Sequence, residues 1–137
     1  MNPMKILLVD DSKSARYALR LQLQRHGTEV ETADSAESAL ERIRQSPPDA
    51  VFMDHTMPGM NGFEALEILK SDSTTAHIPV VMCTSNEEPE FIAQARRKGA
   101  LDILAKSASP EKLADLLARL QDAVVAPSAT VPALAVP

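Results

Sequence analysis

Short apolar runs alternate with longer stretches of mixed polarity along most of the chain. The runs at residues 5–9, 50–53, 78–83 and 101–105 are nearly continuous in Val, Ile, Leu, Met and Phe, whereas residues 29–33 alternate apolar with polar. Continuous runs of this length predict strands buried on both faces, and the alternating one predicts a strand nearer a sheet edge. Between them, apolar residues recur at helical spacing. One helix is predicted over 14–26, stopped by Gly27. A second opens at Asp34-Ser35-Ala36-Glu37, read as a capping box, and runs to Arg44 ahead of Pro47-Pro48. A third opens at Asn61-Gly62-Phe63-Glu64, and a fourth spans 88–98 with Pro89 in its first turn and Gly99 as its stop. The fifth has Ser109 as N-cap and Pro110 at its first position, and buries Leu113, Leu116, Leu117 and Leu120. Five strand-helix repeats of this kind predict an α/β fold: a doubly wound (βα)5 three-layer sandwich with a parallel sheet covered on both faces.

Beyond Asp122 the pattern stops. Residues 123–137 carry no charge and are rich in Ala, Val and Pro, so a single domain over 4–122 is expected, followed by a flexible tail or truncated linker. The net charge of −5, with no Lys/Arg run longer than Arg96-Arg97-Lys98, argues against nucleic acid as a partner. The N-terminus lacks a long apolar signal region, and no stretch reaches the ~20 apolar residues of a membrane span, so membrane insertion is not expected. The single thiol, Cys83, falls inside a strand run and reads as inert packing in a reducing cytoplasm.

In an open parallel sheet, ligands bind outside the carboxyl ends of the strands. Those ends carry Asp10 and Asp11, Asp54, Thr84 and Lys106. Carboxylates gathered at one edge repel: at an effective dielectric near 20, two charges ~4 Å apart oppose each other by roughly 4 kcal/mol. A hard cation among them relieves this, and Mg2+ is suited to one or two carboxylates with phosphate oxygens and water. A free carboxylate can attack phosphorus, a threonine hydroxyl can donate to a phosphoryl oxygen, and a lysine supplies a point charge. The set meets the needs of phosphoryl transfer, which are mostly positioning and electrostatics. His26, His55 and His77 match no standard metal-ligand spacing and read as surface or loop histidines, and Met57 and Met60 as loop packing.

The ordered set resembles the receiver domains of response regulators in two-component signalling. Val9-Asp10-Asp11-Ser12 is similar to the family's acidic pair, and Asp54 with Met57-Pro58-Gly59-Met60-Asn61-Gly62 to its phosphoacceptor loop; Thr84 and Lys106 are similar to its switch hydroxyl and lysine. The resemblance implies a flavodoxin-like sheet of order 2-1-3-4-5. It implies Asp54 as phosphoacceptor, with Asp11, Asp54 and the backbone carbonyl of Thr56 ligating Mg2+ directly and Asp10 acting through water. By the same resemblance, Thr56 and Asn86 would occupy the positions that in the family tune the phosphoryl lifetime. A histidine kinase or histidine phosphotransfer protein would meet helix one, including Arg16 and Arg20, and the Ser107 loop. A downstream protein target would meet the face of helix four, strand five and helix five.

Two positions depart from the family's pattern. Its aromatic residue three before the lysine is Ile103 here, and its proline after the lysine is Ser107. A β-branched aliphatic residue cannot make an aromatic ring's swing. A cis bond before a non-proline costs about 2.5 to 4 kcal/mol, so the loop after Lys106 is either trans or strained. Two other readings compete: a pseudo-receiver acting as a constitutive interaction or dimerisation module, and a Mg2+-dependent phosphohydrolase. Against the second, the place two residues after Asp54, where such enzymes carry a general acid, holds Thr56.

Overall fold

A computed structural model describes residues 3–135. The strands are β1 (Lys5–Val9), β2 (Glu29–Ala33), β3 (Ala50–Asp54), β4 (Val80–Thr84) and β5 (Asp102–Ala105). They alternate with helices α1 (Lys13–Arg25), α2 (Ala36–Gln45), α3 (Gly62–Ser71), α4 (Pro89–Arg97) and α5 (Pro110–Ala135). All neighbouring strands pair in parallel, in the order β2-β1-β3-β4-β5. The alternating strand, β2, lies at an edge, and the continuous runs β1, β3 and β4 fill the centre.

Because successive side chains of a strand point to opposite faces, each central strand feeds two cores. Leu7, Val9, Val51, Met53, Val80 and Met82 face Leu40 and Ile43 of α2, Leu66 and Leu69 of α3, and Ala95 of α4. Ile6, Leu8, Phe52, Val81, Cys83 and Leu104 face Leu23 of α1 and Leu113, Leu116, Leu117 and Leu120 of α5. The sandwich therefore has α1 and α5 on one side and α2, α3 and α4 on the other.

The caps differ in one place from the sequence pattern. Asn61 and Glu64 do form a reciprocal capping box at α3. At α2, however, the cap is Ser35, whose hydroxyl accepts from the Ser38 amide, and Glu37 reaches away to the Met60 amide. Ser35 prevails because its backbone is extended, as a cap requires. β4 begins at Val80 rather than 78, since the Ile78 amide is turned back to the Thr75 carbonyl and Pro79 has no amide to pair.

At the C-terminus, α5 runs to Ala135. Packing against the sheet is seen as far as Val124. Residues 136 and 137 of the expected tail lie outside the described residues.

Candidate functional site

The register of the sheet brings the polar strand ends to one edge. Val9 is level with Met53, Asp54 with Cys83, and Thr84 with Ala105. Asp10, Asp54, Thr84 and Lys106 thus leave neighbouring strands side by side. Each of Asp10, Asp11 and Asp54 offers an oxygen within 4.8 Å of the others'. Asp10 and Asp54 are buried and Asp11 is exposed.

Local bonds fix the acidic pair. The Asp10 amide donates to the Ala33 carbonyl, its carboxylate accepts from the Ser12 amide at 2.9 Å, and its carbonyl accepts from Arg16 at 2.8 Å. Ser12 caps α1 by accepting from the Ala15 amide. The acidic turn is therefore continuous with the start of a helix, which orients Asp11 without burying it.

Lys106 Nζ lies 3.1 Å from Asp54 Oδ1 and 3.6 Å from Asp10 Oδ2. One ammonium against three carboxylates leaves the cluster short of positive charge. Burial raises the pKa of Asp54 and the charge of Asp10 adds to this, while the bond to Lys106 and the Thr56 amide oppose it. Lost solvation would lower Lys106, but its bond to Asp54 and the charge of Asp10 outweigh that and raise it. Cys83, behind the cluster, is pushed up to about 12 by burial, with both carboxylates adding to the shift, and stays a thiol.

Gly62, at the start of α3, shapes the loop that follows Asp54. A Cβ there would lie 2.4 Å from the Asp54 carbonyl oxygen and 2.6 Å from Met82 Cε. Only a residue without a side chain lets α3 begin this close to the strand end. The Gly62 amide donates to the His55 carbonyl at 2.9 Å and ties the two together.

Thr84 is buried, and its hydroxyl oxygen accepts from the Asn86 amide at 2.9 Å, which leaves the hydroxyl proton to donate elsewhere. The Asn86 side-chain oxygen accepts from the Glu88 amide at 3.0 Å, so that end is engaged in the turn into α4. Lys106 is fixed through its amide, which donates to the Thr84 carbonyl. The peptide bond after it is trans, as are all among the described residues, which decides the open question at Ser107. The Ala108 amide donates to the Ala105 carbonyl, closing that loop without a cis bond.

The pattern of the response regulator receiver domain matches residues 6–118. The chain belongs to the response regulator receiver domain family. It is similar to PilH of Pseudomonas aeruginosa, 38% identical over 109 residues that make up 80% of this chain and 90% of PilH. It is also similar to the phosphate regulon transcriptional regulatory protein PhoB of Escherichia coli, 32% identical over 80% of this chain but only 48% of PhoB. Among solved structures, the chemotaxis protein CheY4 of Vibrio cholerae superposes with a TM-score of 0.79 at 35% identity, covering 86% of this chain and 98% of that one. The fold and strand order are those of this receiver family. No helix among the described residues is long and apolar enough to cross a membrane.

Two features of this receiver were missed in the sequence. His55 is half-buried against a stacked pair of phenylalanines, its ring centroid 4.5 Å from that of Phe63 and 4.8 Å from that of Phe91. Burial lowers its pKa, against the charge of Asp54. Asp102 is buried in β5 and holds Arg96 of α4 and Arg119 of α5. Lost solvation alone would raise its pKa, but the Ile103 amide and the two arginines outweigh that and lower it. Residues 55, 63 and 91, or 96, 102 and 119, share no local spacing, and only the tertiary fold joins them.

Proposed function

We propose that this receiver accepts a phosphoryl group on Asp54 and passes the signal on by protein contact. The observation that supports it is the placing of Asp54 Oδ1 3.1 Å from Lys106 Nζ, within an acidic cluster whose charge is under-compensated. In the transfer step a carboxylate oxygen of Asp54 attacks the phosphorus of a partner's phosphohistidine. The phosphorus–nitrogen bond breaks, and its electron pair returns to the imidazole, which takes up a proton. Thr84 donates its free hydroxyl proton to a phosphoryl oxygen, and Lys106 turns from the carboxylate to the phosphoryl charge. Water later attacks the phosphorus and releases inorganic phosphate and the Asp54 carboxylate.

Three hard oxygen donors with one ammonium fit Mg2+. Asp11, Asp54 and the Thr56 carbonyl would hold it directly, and Asp10 through water. When bound it offsets the charge that donor and acceptor bring together. The receiver unit is residues 4–122, acting in the cytoplasm. A histidine kinase or phosphotransfer protein meets α1 and the Ser107 loop, and a target meets the α4, β5 and α5 face.

The test is intact mass after incubation with Mg2+ and a small acyl phosphate, repeated with Asp54→Asn. One added phosphoryl group in the parent and none in the variant is expected. No gain in the parent overturns the proposal and favours a pseudo-receiver; multiple turnover of added phosphate esters favours a hydrolase.

A further inference from the structure

Rings join the phosphoacceptor strand end to the start of α4. His55 directly follows Asp54, and its imidazole meets Phe63 edge-on at 64° and Phe91 at 89°. Phe63 and Phe91 stack on each other at 5.1 Å and 25°. The backbone of residue 55 is held on both sides: its amide donates to the Cys83 carbonyl and its carbonyl accepts from Gly62. A change at Asp54 therefore acts on a residue whose ring already packs against side chains of two helices.

The helices differ in how firmly they are held. Phe63 belongs to α3, which has a full capping box and five buried residues. Phe91 belongs to the first turn of α4, where Glu88 makes no side-chain cap bond and Ala95 is the buried residue. Phe91 itself is half-buried and, like Ile103, packs against the core. The other route from the site to α4 is the pair of turn bonds from Thr84 through Asn86 to Glu88. Edge-to-face contacts are directional, so a ring displaced at one end loses its geometry unless the other follows.

We infer that His55 and Phe91 are a positioning pair that couples the phosphorylation state of Asp54 to α4, in place of an aromatic residue at position 103. This rests on Asp54 being the acceptor. Phosphorylation turns the His55 ring on its fixed backbone, α3 stays fixed, and the weakly held first turn of α4 follows the ring. Such coupling needs an element that both sites bias, and α4 is that element.

Amide NMR spectra with Mg2+ and beryllofluoride, a phosphoryl mimic, test it in the parent, His55→Ala, Phe91→Leu and Phe91→Tyr. The parent is expected to show shifts both at Thr84 and across α4. His55→Ala and Phe91→Leu keep the Thr84 shift and lose the α4 shift, and Phe91→Tyr, which keeps the ring, restores it. A purely structural role would not separate the two shifts. Phe91→Leu replaces a half-buried side chain and decides the matter if His55→Ala does not fold. Shifts in α4 of parental size in Phe91→Leu overturn the coupling and leave Asp54 as acceptor; no shift at Thr84 in the parent overturns both.

Discussion

α3 and α4 lie on the same face of the sheet, yet they are built to different standards. α3 buries Gly62, Phe63, Ala65, Leu66 and Leu69 and closes its N-terminus with a capping box. α4 buries Ala95, lacks a side-chain cap, and leans on an ion pair from Arg96 to Asp102. The contrast teaches where each helix stands relative to the chemistry. α3 begins against the Asp54 carbonyl, so its position must be fixed for the site to exist. α4 follows the Thr84 loop and can move without dismantling the carboxylate cluster.

Core truncation should expose this difference most strongly. Leu66→Ala in α3 is expected to lower stability by about 3 kcal/mol, and Ile92→Ala at a half-buried position of α4 by about 1 kcal/mol or less. Urea unfolding measures both, and equal losses would break the contrast.

Asp102→Ala is expected to cost about 2 kcal/mol through lost charge-assisted bonds. It releases Arg96 and Arg119 together, joining α4 to β5 and α5 no longer. Because the Asp102 pKa is depressed in the fold, its contribution is complete above the unfolded value near 3.8 and is lost as pH falls through the folded one. Unfolding midpoints of parent and variant should therefore converge on acidification; a constant gap would refute the assignment to charge.

The caps give a finer comparison. Asn61→Ala removes the side-chain oxygen that accepts from the Glu64 amide, leaves the residue-61 amide bonded to Glu64, and should cost about 1 kcal/mol. Glu88→Ala, at a cap without a side-chain bond, should stay within about 0.5 kcal/mol. A larger loss at Glu88 would show α4 to be anchored in a way its contacts do not reveal.

The smallest shift is expected from Asp54→Asn without added metal. The raised pKa of Asp54 means that the fold favours its neutral form, an advantage fully present below about 3.8 and lost as pH rises through the folded value. An amide mimics that neutral form, so the variant should be the more stable at neutral pH and the gap should close in acid. Mg2+ should reverse the order by stabilising the parent. Thermal unfolding with EDTA and then with Mg2+ reads both signs.

Much of this molecule was legible in its sequence because the informative signals are local. A continuous apolar run followed by Asp, Thr or Lys states both a buried strand and what stands at its end, as at Asp54, Thr84 and Lys106. The Asn61–Glu64 box was equally readable, since both partners lie within one turn. Choosing between Asp34 and Ser35 as a cap was harder, because a shift of one residue leaves the composition unchanged and only the backbone angles decide. His55 read as a loop histidine because its neighbours Phe63 and Phe91 come from two other elements. Asp102 was hidden for the same reason: a charge inside a strand run gains its partners from helices on either side of β5 in the chain.

The position of Lys106 also bears on how the protein comes into being. Its ammonium meets Asp54 only because β5 pairs with β4, and β5 is the last of the sheet's five strands to leave the ribosome. A nascent chain ending before residue 102 can contain Asp10, Asp11, Asp54 and Thr84 and still lack the cation that faces them. The charge balance of the cluster then arrives with completion of the sheet, so partly made chains hold Asp54 without its counter-charge.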